Sequence, residues 1–274
     1  MRDFLIERLP AAAPVAEMLR TGEFVDKAGH PWTGDEPYRP NAFVWFHRAL
    51  APEPAVPFDV EVLAADERVV VVDKPHFLAT TPRGTHVAES VLVRLRESLG
   101  LPELAAAHRL DRLTAGVLVL TKERRWRAAY AGVFQTVDVL KSYEALAPFD
   151  PTLEFPRRIA NRIEKRRGSL QAEVVDGEPN AETRVELVET RGSYGRYLLT
   201  PTTGKTHQLR VQLAALGLPI VGDPLYPAIL DVEADDFTTP LQLVARRLRF
   251  TDPIDQAPRD YTSRFALEWP ETAR

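Results

Sequence analysis

Two stretches of the chain are apolar almost without interruption, RVVVVDKP at 68–75 and GVLVLTK at 116–122. Such short β-branched runs, the first stopped by Pro75, read as buried strands that end in loops. VLKSYEALA (139–147), AETRVELVET (181–190), GRYLLTPTT (195–203) and LQLVARRLRF (241–250) read as further strands. Helical spacing is found in three places. Val87, Val91, Leu95 and Leu99 recur at i+4 and stop at Gly100 and Pro102; ERRWRAAYAGVF covers 123–134; HQLRVQLAALG ends at Gly217. Strands outnumber helices, and several connections are too short for parallel crossovers. The pattern therefore predicts an α+β domain on a mixed, mainly antiparallel β-sheet, with no internal repeat or low-complexity tract.

APEPAVP at 51–57 has three prolines in seven residues and reads as an extended linker. It divides a small N-terminal segment, residues 1–57, from a larger domain over 58–274. The small segment has turn signals at AGHPWTGDEP and an aromatic run, NAFVWFHR, that suits one strand. The full 274 residues, 45% of them hydrophobic, suffice for such a domain and appendage. Absence of cysteine excludes disulfides, thiolate zinc sites and cysteine nucleophiles, and agrees with a reducing compartment. No signal peptide or 18-residue apolar stretch is present, so the cytoplasm is the expected location, with no membrane partner.

A net charge of −4 speaks against a protein that coats nucleic acid indiscriminately. Charge is nevertheless uneven. RRIANRIEKRRG (157–168) has six Arg or Lys against Glu164, KERRWR (122–127) has four against Glu123, and acids gather in DVEADD (231–236). Basic runs of this kind either solvate a surface or meet phosphates.

Several chemistries fail on spacing. TTGKTH (202–207) ends like a phosphate-binding loop, but the glycine required five positions before Gly204 is Leu199. No histidine pair or carboxylate cluster has metal-ligand spacing, so a metal site is not expected. No serine occupies a G-x-S-x-G elbow.

Three elements remain. In HRLDRLTAG, Asp111 stands between Arg109 and Arg112, and Thr114, Ala115 and Gly116 permit a tight turn and close approach of another group. Asp111 is either a surface ion pair or a nucleophile, since a carboxylate held by an arginine stays ionised. In KSY, Lys141 and Tyr143 share one strand face, which fits either a half-buried tyrosine or a stacking platform for a base. In GKTHQLR, a turn enters a helix that places Arg210 on the face of His207. Arg210 is then a surface residue or the partner of a buried carboxylate, and spacing does not decide between them.

In this order, HRLDRLTAG, KSYEAL and TGKTHQLRVQLAALGLPIVGDPLY resemble the motifs of the RluA-type RNA pseudouridine synthases, relatives of the RsuA type. VVDKP (71–75) and LQLVARRLRFTDP (241–253) resemble the family's opening and closing strands, so the likeness spans about residues 60–255. It implies a pseudouridine synthase fold with the cleft across the middle of the sheet. It also implies isomerisation of uridine in ribosomal or transfer RNA to pseudouridine, without cofactor or metal. Asp111 matches the essential aspartate, Tyr143 the tyrosine that stacks on the target base, and Arg210 the arginine that pairs with the aspartate. Arg109 matches an arginine that fills the space of a flipped base; Arg112, Lys141 and His207 are expected beside the substrate.

The chain departs from the pattern in two places. Residues 1–57 match the S4-type RNA-binding domain of many relatives only in fragments such as MLRTGEFVDKAG, and ATTPRGTH (79–86) lacks their His-Pro pair. Two rival readings are a non-catalytic RNA-binding or assembly protein that keeps the fold, and an enzyme of free nucleosides such as a glycosidase. The intact triad argues against the first, and basic runs outside the motifs favour a polymer over the second.

Overall fold

The structure is a computed structural model that describes residues 1–9, 13–46, 52–84, 86–136 and 138–273. The chain forms two compact units, Met1–Pro52 and Glu53–Arg274. In the first, helices α1 (Arg2–Arg8) and α2 (Val15–Arg20) bury Leu5, Val15, Met18 and Leu19 around Phe24 and Trp32. The aromatic run supplies no strand among the described residues. Trp45 makes an isolated antiparallel bridge to Val25, and residues 47 and 48 lie outside the described residues.

Residues 53–57, which the proline pattern assigned to a linker, belong to the second unit. The Glu53 carboxylate accepts hydrogen bonds from the backbone N–H groups of Val87, Ala88 and Glu89, and Val56 is buried. This anchoring leaves 87–89 non-helical. Helix α3 (Val91–Ser98) therefore starts late, where the Ser90 hydroxyl accepts from the Val93 N–H.

The second unit is built on one sheet. Its strands are β1 (Glu61–Ala65), β2 (Val69–Lys74), β3 (Ala105–Ala106), β4 (Ala115–Thr121), β5 (Leu140–Pro148), β6 (Arg157–Glu164), β7 (Glu173–Val175), β8 (Ala181–Arg191), β9 (Tyr194–Pro201), β10 (Leu243–Thr251) and β11 (Pro258–Thr262). Helices α4 (Arg127–Val133) and α5 (Gln208–Ala215) join α3. The sheet order is β1-β2-β4-β10-β5-β9-β8-β6-β7, with β3 against β4 and β11 against β10. Every pairing among the described strands is antiparallel except β4 with β10. The α+β architecture on a mainly antiparallel sheet is as the pattern predicts. The first eight residues of the basic run at 157–168 form strand β6.

The unbroken apolar runs have a simple cause. In β2 and β4, alternate residues enter two different cores. Val70, Val72, Leu118 and Leu120 join a core with α3 and α5, while Val69, Val71, Val117 and Val119 pack with Tyr130 and Phe134. Strand β9 by contrast alternates fully buried with partly exposed residues, as a one-sided sheet requires.

Gly116 is where β10 meets β4. It lies opposite Ala245 at a φ of 119°, and a Cβ there would stand 2.3 Å from the Ala245 carbonyl oxygen. The approach expected beside Gly116 is thus made by backbone, which cannot yield. Gly116→Ala should destabilise the protein by about 2–5 kcal/mol through strain and overpacking. Gly132→Ala, in helix α4 with open space around it, should be neutral or stabilising by up to about 1 kcal/mol. Urea unfolding midpoints of the two variants test the contrast.

Candidate active site

Asp111 stands in the loop between β3 and β4, flanked by Leu110 and Leu113, whose side chains are buried in the core. Each carbonyl around it is held from segment 74–80. The Thr80 hydroxyl donates to Leu110 O at 2.7 Å and accepts from the Leu110 N–H. Lys74 Nζ donates to Arg112 O at 3.1 Å, and also to the carbonyls of Pro75 and Leu78. His76 Nδ1 lies 2.7 Å from Leu113 O, so it must be protonated and donating. Lys74 is fully buried; burial pulls it down to about 7, against the upward influence of Asp111. The loop carrying the carboxylate is therefore rigid, while the carboxylate itself remains about a third exposed.

Arg210 comes from α5 and is 2% exposed. Its Nη1 is 4.0 Å from Asp111 Oδ2, so the expected pairing exists as a single long contact. The bidentate partner is another residue. Asp223 receives Arg210 Nε at 2.7 Å and Nη2 at 2.6 Å, and also the backbone N–H groups of Leu225 and Tyr226. Asp223 belongs to GDPLY, inside the third motif, where the sequence pattern does not single it out. The available signal was chemical: an arginine on a buried helix face requires a carboxylate, and Asp223 follows a glycine in a turn.

Two adjoining cavities open on Asp111. The smaller, about 110 Å³, is lined by Tyr143, Thr114, Lys205 and Gln208 among others. The larger, about 500 Å³, is lined by Arg83, His86, Arg112 and Lys165 with Leu170 and Leu225. Arg109, Leu110, Asp111, His207 and Arg210 face both. Among the described residues Asp111 is the one carboxylate lining either cavity. Burial and the charge of Asp111 raise the Tyr143 phenol above its usual range. Burial, then Arg210, lowers Arg112.

Not all the expected residues meet here. Lys141 donates to Phe134 O at 3.3 Å and lies over the Phe134 ring, beside His108 rather than in either Asp111 cavity. The run 122–127 leaves the far end of β4, a strand length of about 23 Å from the Asp111 loop. Arg125 there pairs with Glu123, and Arg127 donates to Glu103 O. From the other basic run, Lys165 lines the larger cavity. Among the described residues no group of three His, Cys, Asp or Glu side chains is placed to hold a metal ion. Among them, too, no helix is long and apolar enough to cross a membrane.

Comparison with solved structures identifies the fold. Human RNA pseudouridylate synthase domain containing 1 superposes with a TM-score of 0.61 at 23% identity, over 77% of this chain and 86% of that one. Human RNA pseudouridylate synthase domain containing 4 gives 0.57 at 27% identity, over 75% and 88%. The fold is that of a pseudouridylate synthase. Residues 68–215 match the profile of the RNA pseudouridylate synthase family. The dual-specificity RNA pseudouridine synthase RluA of Vibrio cholerae is 31% identical over 71% of this chain and 78% of its own length. An uncharacterized RNA pseudouridine synthase of Haemophilus influenzae is 30% identical over 61% and 74%. The chain belongs to the RNA pseudouridine synthase family, of the RluA type, whose members isomerise uridine in RNA to pseudouridine.

The Arg210–Asp223 pair makes a prediction of its own. Asp223→Ala leaves a guanidinium buried without its partner and should destabilise the protein by about 3–5 kcal/mol. Asp223→Asn keeps the shape and should fold, but with a lower turnover rate and little change in KM. Thermal unfolding and single-turnover kinetics measure the two effects separately.

Proposed function

We propose that Asp111, Tyr143 and Arg210 carry the isomerisation, and that the substrate is a uridine in ribosomal or transfer RNA, modified in the cytoplasm. One observation supports this above others: a single carboxylate, on a clamped loop, faces two cavities whose other charged lining residues, among those described, are all cationic or histidine. A uridine inside an RNA stack must be flipped out before its glycosidic bond breaks, at a cost of a few kcal/mol. Exposed Arg109, at the mouth of both cavities, takes the vacated space, and Tyr143 stacks on the extruded base.

Asp111 then opens the glycosidic bond. It attacks C1′ of the ribose or C6 of the base, or removes a sugar proton to give a glycal. All three routes require an anion within reach of the nucleoside, and the Arg210 guanidinium favours that anion from a fixed position. Uracil turns within the cavity and rejoins the sugar through C5. Release of tritium from RNA labelled at C5 of uridine tests the assignment. Wild-type protein should release it, and Asp111→Asn should lower the rate by at least about 10⁴-fold. Undiminished release from the variant would remove Asp111 from the mechanism. A protein that binds RNA without releasing any tritium from bulk rRNA or tRNA would be the binding rival.

The RNA backbone runs through the larger cavity. Arg83, Arg109, Arg112 and Lys165 make no ion pair among the described residues, although most arginines elsewhere in the domain do. Uncompensated cations brought close together repel one another and are relieved by phosphate. Arg167, and Arg166 at 3.9 Å from Glu173, add further positive charge on the exposed loop after β6. Replacing Arg83 and Lys165 with Gln should weaken RNA binding and flatten its dependence on log salt by about 1.4, at ~0.7 for each phosphate no longer neutralised. Salt titrations of binding to unlabelled RNA read the slope; reversing Arg166 and Arg167 should flatten it further.

A further inference from the structure

Once C5 has bonded to C1′, it carries both the sugar and its original hydrogen, and C6 is doubly bonded to N1. Completion requires a base. The C5–H pair becomes the C5=C6 bond, the C6=N1 π pair moves to N1, and N1 takes a proton from water while the C5 proton goes to the base. We propose that this base is Nε2 of His207.

The hydrogen-bond network fixes the tautomer. The Tyr226 hydroxyl donates to Ala172 O at 2.9 Å and accepts from the Ala172 N–H at 2.7 Å. Its one proton is thus engaged. His207 Nδ1, 3.1 Å from the same oxygen, must then be the donor. A neutral imidazole protonated at Nδ1 has its lone pair on Nε2, and among the described residues Nε2 has no hydrogen-bond partner. His207 lines both cavities beside Asp111, and the smaller one beside Tyr143.

The protonation state agrees. Burial pulls His207 below the ordinary imidazole value; Arg210 and Lys165 act in the same sense, while Asp111 and Asp223 oppose them. The ring is neutral at pH 7 and able to accept. Tyr143 is the competing group, but its phenol is raised by burial and by Asp111, so almost none of it is ionised at that pH. Lys205, the amine lining the smaller cavity, is exposed at its edge. The backbone supports the same role. His207 precedes α5 in the left-handed region, at a φ of 56°, which directs its ring back across the helix start toward Tyr226 instead of along α5.

His207→Asn is the variant of choice. Asparagine tolerates the left-handed conformation, and its amide N–H can replace Nδ1–H toward Tyr226, while nothing replaces Nε2. The assignment rests on the reading of Asp111 given above, and a pair of substrates separates the two. One is RNA tritiated at C5 of uridine; the other is the same RNA containing 5-fluorouridine, which has no hydrogen on C5. In single turnovers, His207→Asn should slow tritium release by at least about 100-fold. It should also bring out a deuterium isotope effect at C5, while conversion of 5-fluorouridine to its rearranged nucleoside is slowed at least about 10-fold less than tritium release. Equal slowing on both RNAs would make His207 a structural or binding residue, and unchanged tritium release would exclude it as the base. Asp111→Asn should block both conversions. If it blocked neither, the reading of Asp111 would fall while the His207 comparison would still give its own answer.

Discussion

The buried ion pair of Arg210 with Asp223 is the constraint around which the site is arranged. Removing a guanidinium from water costs several kcal/mol unless its partner is close, well aligned and itself supplied with donors. Asp223 meets that condition with two parallel hydrogen bonds to Arg210 and two more from the backbone of its own turn. The turn goes on to Tyr226, whose hydroxyl holds both Ala172 and His207. One ion pair thus fixes α5, the segment after it and the approach to β7. Two of the three guanidinium nitrogens are consumed in this way. The third is left facing Asp111 from a position the ion pair has already fixed.

The opposite wall of the cleft depends on strand register. Lys74 at the end of β2 lies across from Gly116 at the start of β4, so the ammonium and the loop before Gly116 come to the same level. Only there can Lys74 reach Arg112 O while Thr80 and His76 hold the neighbouring carbonyls. A slip of one residue would turn every side chain of β2 toward the wrong core. The apolar runs that first identify these strands therefore also set the position of the carboxylate. Packing and site geometry are the same fact seen at two distances.

Much of this could be read from the chain, and what could not has a common cause. Strands β2, β4, β5, β8, β9 and β10 follow from unbroken or β-rich runs, because their own side chains fill the core. Strand β6 was hidden, since an edge-side strand with one wet face needs few apolar residues, and its arginines masked the rest. Asp111, Tyr143, His207 and Arg210 were found as motif residues, and the fold brings them to one cavity. Lys141 shares Tyr143's strand but turns to Phe134, because side-chain direction depends on neighbours as well as on period. Asp223, Lys74 and Thr80 escaped notice because their work is done through partners 13 to 38 positions away. Long-range partners leave little trace in local spacing.

Charge distribution connects the acidic chain to its polyanionic substrate. On β5, Tyr143 points toward the Asp111 cavity, so Glu144 faces the other side of the sheet. There Glu144 and Glu189 surround Arg196, and Glu144 also meets Arg246. Such pairs neutralise one another and leave that face little pull on phosphate. Arg83, Arg109, Arg112 and Lys165 make no such pair among the described residues, so positive charge collects beside the carboxylate proposed as catalytic although net charge is negative. An RNA approaching that face meets paired charge, and one approaching the Asp111 cavities meets unpaired arginine. The imbalance orients the encounter before any base is read. It also explains why one carboxylate suffices in the cleft: a second would compete with the phosphates for the same cations.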